Sequence, residues 1–292
     1  METLKDLLPF ALRASLWLLA FAIGLDSSVS DATYVLRRPK LLLRSIASIN
    51  VAVPAFAVFI AAVFPLPQLA KIAIVLMAVS PLPVIAPSTE LKLGGHKPYV
   101  YGLLVAVSVL SIIIVPLTVA LISAAFPGQW SISPLKIAES ILLSVLAPLG
   151  IGMILYRLAP QASMRTATVI SKIAMIVLII GIVPLLAAVW PAMQRQIGNG
   201  TVLAIIAVVV AGLAAGHFLG GPSSEDRTSL AIASATRHPG IAIMIANENV
   251  ADPRIKAAIL LFLFVSAVVM IPYQIWVKRH QHPTDTIHER RT

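Results

Sequence analysis

The residues best suited to binding chemistry sit in two proline-rich interruptions of otherwise apolar segments. One interruption is Thr236-Arg237-His238-Pro239-Gly240. It sets a permanently charged guanidinium beside an imidazole whose ordinary pKa is about 6.5. A charge near mid-membrane costs at least about 2.5 to 3.5 kcal/mol on insertion scales, so an arginine there marks a functional site or a paired charge. Arg237 could hold a carboxylate through two parallel hydrogen bonds. His238 could donate a hydrogen bond or carry a proton for coupling.

The other interruption runs Ser80-Pro81-Leu82-Pro83-Val84-Ile85-Ala86-Pro87-Ser88-Thr89-Glu90. Ser88 and Thr89 supply neutral donors and acceptors there, as Thr236, Ser234 and Asn247 do around the second break. Asn50 and Ser48 lie just before Pro54 in another apolar block. Such side chains also bond locally to backbone, which is their commoner use. Two readings of Arg237 stand side by side: an anion-binding or coupling charge, and a structural salt bridge to Glu90.

The segments that must hold these residues are membrane spans. The chain has 292 residues, of which 59% are hydrophobic and 12% charged, against about half and a quarter in soluble domains. The apolar residues form blocks of about 18 to 25, long enough to cross a hydrocarbon core of roughly 30 Å as helix. Lipid cannot satisfy open backbone groups, so helices are required. Spans are expected near 7–25, 41–64, 69–95, 99–126, 137–155, 168–189, 202–219, 224–247 and 259–277. The fold class is therefore an all-α integral membrane protein with about nine transmembrane helices. The first block is read as a span and not a signal peptide, because Arg13 interrupts it and no soluble domain follows.

Each proline removes a backbone donor and crowds the preceding turn, so the third and eighth spans are expected to be discontinuous. Pro87 suits the first turn of a second half-helix that stops at Gly94-Gly95. Pro239 starts the second half of the eighth span, whose first half is capped by Ser223 or Ser224 with Glu225 and Asp226 near the positive dipole end. Four spans separate the breaks, so each can occupy the same place in one of two five-span inverted repeats if the first repeat lacks its opening helix.

The net charge of +10 resides in short connectors between apolar blocks, which argues for membrane topology and against nucleic acid. About fourteen Lys and Arg fall on one side and about seven on the other, placing the N-terminus outside and the C-terminus in the cytoplasm. One transmembrane domain is expected over residues 1–279, followed by a polar cytoplasmic tail at 280–292. Short connectors favour the cell membrane of a bacterium. Trp17, Trp130, Trp190 and Trp276 lie near expected interfaces, as anchors do. With no cysteine there is no disulfide, thiolate metal site or thiol nucleophile. The acidic residues lie mostly in connectors, so no catalytic set is expected, nor any cofactor or bound metal.

The sequence resembles the bile acid:sodium symporter family. The resemblance rests on Phe21-Ala22-Ile23-Gly24-Leu25, Leu36-Arg37-Arg38-Pro39, the stretch from Pro81 to Gly95, and Ala233 to Ala242 ending in Gly240-Ile241-Ala242. It implies a core domain with two crossing discontinuous helices beside a panel domain. It also implies two sodium sites built from a Ser-Asn pair in the first crossing and a Glu, a Gln and an Asn in the second. Here those places hold Ala86-Pro87, Ala233, Arg237 and His238, and Ile49 stands where the family has a further Gln. Sodium needs several hard oxygen ligands, and a guanidinium about 4 Å away would repel it by roughly 4 kcal/mol at an effective dielectric of 20.

The expectation is a secondary transporter that moves a bile-acid-like anion or small carboxylate by alternating access, with weak or no sodium coupling. The substrate-binding candidates are Arg237, His238, Ser88, Thr89, Glu90, Thr236, Asn50 and Ser234. Its partners would be a small anionic molecule, the lipid bilayer and a coupling proton. Two alternatives are a metalloid or inorganic-anion exporter of related fold, and a membrane sensor that does not transport.

Overall fold

The computed structural model describes residues 2–123, 133–250 and 252–281. All regular structure among them is helical. Helix α1 covers Glu2–Leu25. A single turn, α2, covers Val29–Ala32, and α3 covers Pro39–Val63. The third apolar block divides into α4 (Gln68–Val79) and α5 (Ala86–Lys92). Then come α6 (Lys97–Ser123), α7 (Pro134–Leu158), α8 (Pro160–Gln194) and α9 (Thr201–Leu219). The eighth block divides into α10 (Ser224–Ala235) and α11 (Pro239–Asn249), and α12 covers Ile255–Gln281. Trp130 and the tail beyond Gln281 lie outside the described residues.

Among the described residues, six helices are long and apolar enough to cross a membrane: α3, α6, α7, α8, α9 and α12. Helix α8 is the longest, with 35 residues, and only 17% of its apolar window is buried. Its Ile173, Ile176, Ile180 and Val183 are exposed, a surface suited to lipid chains.

The helices pack as two sets. Helices α1, α7 and α8 lie together. The other set surrounds the two interrupted helices. There α4 packs on α3 and α12, while α10 packs on α9 and α6. The second halves behave alike, α5 lying on α6 and α11 on α12. Each half also touches the other interruption, α5 against α10 and α11 against α4.

The α9 to α10 contact depends on Gly216. A Cβ there would lie 2.3 Å from the Leu230 carbonyl oxygen and 2.4 Å from the Ala231 Cα. In lipid the attraction between helices is close van der Waals packing, which small residues permit. Gly216→Val is therefore expected to force α9 off α10 at a cost of about 1 to 3 kcal/mol. The check is the melting temperature of the detergent-solubilised protein, which should fall well below that of wild type. An unchanged value would show that the helices do not meet this closely.

Candidate functional site

Both interruptions break where the sequence removes backbone donors. Helix α4 ends at Val79 and is capped by Ser80, whose amide donates to the Met77 carbonyl and whose hydroxyl donates to Leu76 O at 2.8 Å. Pro81 and Pro83 follow and cannot continue the helical bonding. Pro87 falls in the first turn of α5. Helix α5 closes at Gly94, in the left-handed region at φ 81°, with the Gly95 amide donating to the Glu90 carbonyl at 2.9 Å. In the other break α10 ends with Thr236 extended, and Pro239 opens α11. The breaks touch directly, because the His238 amide donates to the Pro81 carbonyl at 3.0 Å.

Arg237 sits at this crossing, 2% exposed. Its Nη2 donates to Ile49 O and to Ser234 O, both at 3.0 Å, and its Nη1 reaches Ser80 O at 3.4 Å. All three carbonyls have lost their usual helical donors, each for a local reason. Ser80 ends α4 just before Pro81. Ser234 would ordinarily accept from the His238 amide, which is bonded to Pro81 instead. Ile49 lies in a π turn over Ala47–Ala52, in which the Val53 amide donates to Ser48 O. The next candidate donor is Pro54, which has no N–H. The guanidinium thus joins the carbonyl ends of α4 and α10, both negative ends of helix dipoles, to a bulge in α3.

This arrangement makes Pro54 a remote determinant of the crossing. Pro54→Ala would let α3 recover regular bonding and reclaim the Ile49 carbonyl, withdrawing one acceptor from Arg237. Alanine is the better helix former. Even so, the variant is expected to be less stable by about 1.5 to 3 kcal/mol, the scale of a hydrogen bond to a charged group. A melting temperature above wild type would refute this role of the bulge.

The remaining candidates divide between the crossing and its flanks. Ser234 Oγ and Ser48 Oγ are 2.7 Å apart and buried, which ties α10 to the bulge. Asn50 lies in the same bulge, with its Oδ1 buried and without a hydrogen-bond partner. Thr236 bonds to Ile232 O at 2.7 Å, a local backbone contact. His238 caps α11, its Nδ1 accepting from the Ile241 amide at 3.3 Å. That ring nitrogen must be unprotonated to accept, so a second proton on the imidazole would break the cap. Ser88 and Thr89 lie half-buried on α5. Glu90, also on α5, is fully buried, and neither carboxylate oxygen has a hydrogen-bond partner. Among the described residues no carboxylate lies within ion-pairing distance of Arg237, so the Arg237 to Glu90 bridge is not formed.

A cavity of about 640 Å³ opens beside the second break, between the two sets of helices. His238, Gly240 and Ile241 at the start of α11 form one wall with Val84, and Asn247 and Glu248 continue it. Leu16, Trp17 and Arg13 of α1 and Ser140, Leu143 and Ser144 of α7 face them. Glu248 is held by Lys136, 2.8 Å from each carboxylate oxygen. Arg13 therefore leaves the lining with a net positive charge. The sequence pointed to Arg237, which lies behind this wall, and did not assign Arg13, Ser140 or Ser144 to binding. Those three become neighbours of the crossing only through helix packing.

Interrupted helices that meet inside a bundle and border a polar-edged cavity are the architecture of membrane transporters. The family follows from comparison with known families: the model described as Sodium Bile acid symporter family matches residues 14–193, and the chain belongs to that family. It is a multi-pass membrane protein of transporter type. The match includes the first break and ends before α9, so Arg237 and the second break lie beyond it. Comparison with curated proteins gives no match.

Proposed function

We propose that this protein is a secondary transporter that carries an organic anion across a cell membrane by alternating access, with a fixed guanidinium where its family binds sodium. The observation that carries this reading is the Arg237 side chain shared among three backbone carbonyls at the crossing, with no carboxylate partner among the described residues. A metal cation at such a place would need oxygen ligands that Ala86, Pro87 and Ala233 do not supply. The guanidinium meets the same carbonyl-rich ends without leaving the protein, so coupling to sodium is weak or absent.

In this reading the chain crosses the membrane nine times: the six long helices, α1, and the two interrupted pairs. The equivalent surroundings of α4 and α10, and of α5 and α11, support inverted repeats, with α1, α7 and α8 as the panel and the remainder as the core. The distribution of Lys and Arg favours an external N-terminus and a cytoplasmic C-terminus. The 640 Å³ cavity then opens outward between panel and core. Arg13 and the N-terminal turn of α11 favour an anion there, and the apolar wall of Leu16, Trp17, Val84 and Ile243 favours an amphipathic one.

Uptake of radiolabelled taurocholate into proteoliposomes tests the reading, with short carboxylates as competitors. A carrier gives saturable flux above that of protein-free vesicles. Saturable binding with no flux would identify a sensor and end the transport reading.

A further inference from the structure

The crossing leaves one buried charge-bearing group unused. Glu90 has no exposed surface, and both its carboxylate oxygens lack a partner among the described residues. An ionised carboxylate in that setting loses its hydration and receives nothing in return. A neutral carboxylic acid does not incur that loss.

Its surroundings lead toward water on the side opposite the 640 Å³ cavity. The C-terminal turn of α5 presses on α10, where a Cβ at Gly95 would come 2.5 Å from Ser229 Oγ. Asp226 lies nearly one turn before Ser229, with Oδ1 buried and unbonded, 3.9 Å from His96 Nδ1. The side chain of Asp226 is 15% exposed and that of His96 is 38% exposed, so the pair reaches solvent. Tyr99 lies within electrostatic reach of both Glu90 and Asp226, and its hydroxyl is bonded to Ser45.

The other charged groups near the route are committed elsewhere or flank it, among them Arg38, which acts on Asp226 electrostatically while stacking on Tyr34 and donating to its carbonyl at 3.3 Å. On α6, Lys97 is paired with Asp26 at 2.7 Å. On α10, Arg227 Nε donates to Gly221 O at 2.6 Å, and Glu225 stands beside Asp226. Lys92 is two residues along α5 itself, turned to the opposite face of the helix and exposed.

We propose that Glu90 is a proton-binding site of the carrier, exchanging its proton with the cytoplasmic side through Asp226 and His96. In this state the proton passes between cytoplasmic water and one Glu90 oxygen by way of the Asp226 and His96 pair; once the crossing has rearranged, Glu90 exchanges its proton with the outer side, so that one proton crosses the membrane per cycle. No other bond is made or broken. This inference rests on the carrier reading for its role in coupling, since α5 begins at the crossing and a change of charge on it biases the packing of the two breaks. The site itself does not require transport.

Infrared difference spectra of the protein in lipid vesicles, stepped from acidic to alkaline buffer, read the site directly. Wild type should lose the carbonyl stretch of a buried carboxylic acid. Glu90→Gln, which has the shape of the protonated side chain, should lack that band while melting like wild type. Asp226→Asn should keep the band and slow its change. Identical wild-type and Glu90→Gln spectra would overturn the proposal. In proteoliposomes, an imposed proton gradient should drive taurocholate accumulation by wild type. Glu90→Gln should exchange taurocholate across the membrane but not accumulate it. Gradient-driven accumulation by Glu90→Gln would overturn the coupling. A titrating band without any taurocholate flux would instead retire the carrier reading and leave the proton site standing.

Discussion

Replacing Arg237 with alanine is expected to abolish transport and to lower the melting temperature of the purified protein. The side chain is 2% exposed, and its removal strands three carbonyls that have no other donor. A stranded buried acceptor costs about 1 to 3 kcal/mol, and three that share one partner do not add fully, so the loss is about 3 to 5 kcal/mol. The second part of the effect is electrostatic. The carbonyl ends of α4 and α10 both point at this place, and without a positive charge they repel.

Arg237→Lys should recover little, because a single ammonium cannot span acceptors on three different helices as the forked guanidinium does. Arg237→Gln carries the distinctive outcome. It removes the fixed charge but keeps an amide NH2 that can still donate to two of the carbonyls, and it adds one more oxygen. Added sodium should therefore stabilise it more than it stabilises wild type. Uptake in proteoliposomes and melting temperature, measured on the same preparations, separate loss of function from loss of fold. Wild-type transport and stability in Arg237→Ala would show that the guanidinium is dispensable.

The next largest effect is expected at Arg13, at the lining of the cavity. With Glu248 neutralised by Lys136, Arg13 supplies the net positive charge facing any anion bound there. A charge several ångströms from a bound carboxylate, partly screened by water, contributes about 1 to 3 kcal/mol. Arg13→Ala should raise the taurocholate KM by about tenfold, and Arg13→Glu by about a hundredfold, since attraction becomes repulsion. A neutral bile alcohol used as competitor should be affected far less. Equal losses for charged and neutral ligands would assign Arg13 to packing and not to recognition.

Much of the fold was legible because apolar blocks and prolines dictate it locally. Pro81, Pro83 and Pro87 announce the first break, and the structure ends α4 at Val79 and begins α5 at Ala86. Pro239 announces the second, and α11 begins there. Gly94 ends α5 because the left-handed backbone after a helix suits glycine. The length of α8 was less legible. The expected span at 168–189 became a 35-residue helix, because the polar residues at its ends are helix-compatible although they are not apolar.

The candidate site was legible by residue type and not by partnership. An arginine in an apolar block next to a proline break is conspicuous, whereas the identity of its acceptors is not. Two of the three are backbone carbonyls of Ile49 and Ser80, distant in the chain and independent of side-chain type. The sequence offered Glu90 as the partner by charge alone, and helix packing directs that carboxylate elsewhere. Ser48 and Asn50 stand close before Pro54 in the sequence. The use of that proline, releasing the Ile49 carbonyl from α3, appears only when the π turn is seen. Arg13 looked like an interruption of the first span. Its place against α11 arises from the packing of α1 along α7, which no local pattern encodes.

The central claim is that a tethered guanidinium occupies the place of a sodium ion at the crossing. The most direct measurement is the melting temperature of wild-type protein titrated with sodium chloride against choline chloride at constant ionic strength. Two superimposable curves are expected for wild type, with a sodium-dependent rise only in Arg237→Gln. A saturable stabilisation of wild type by sodium would contradict it.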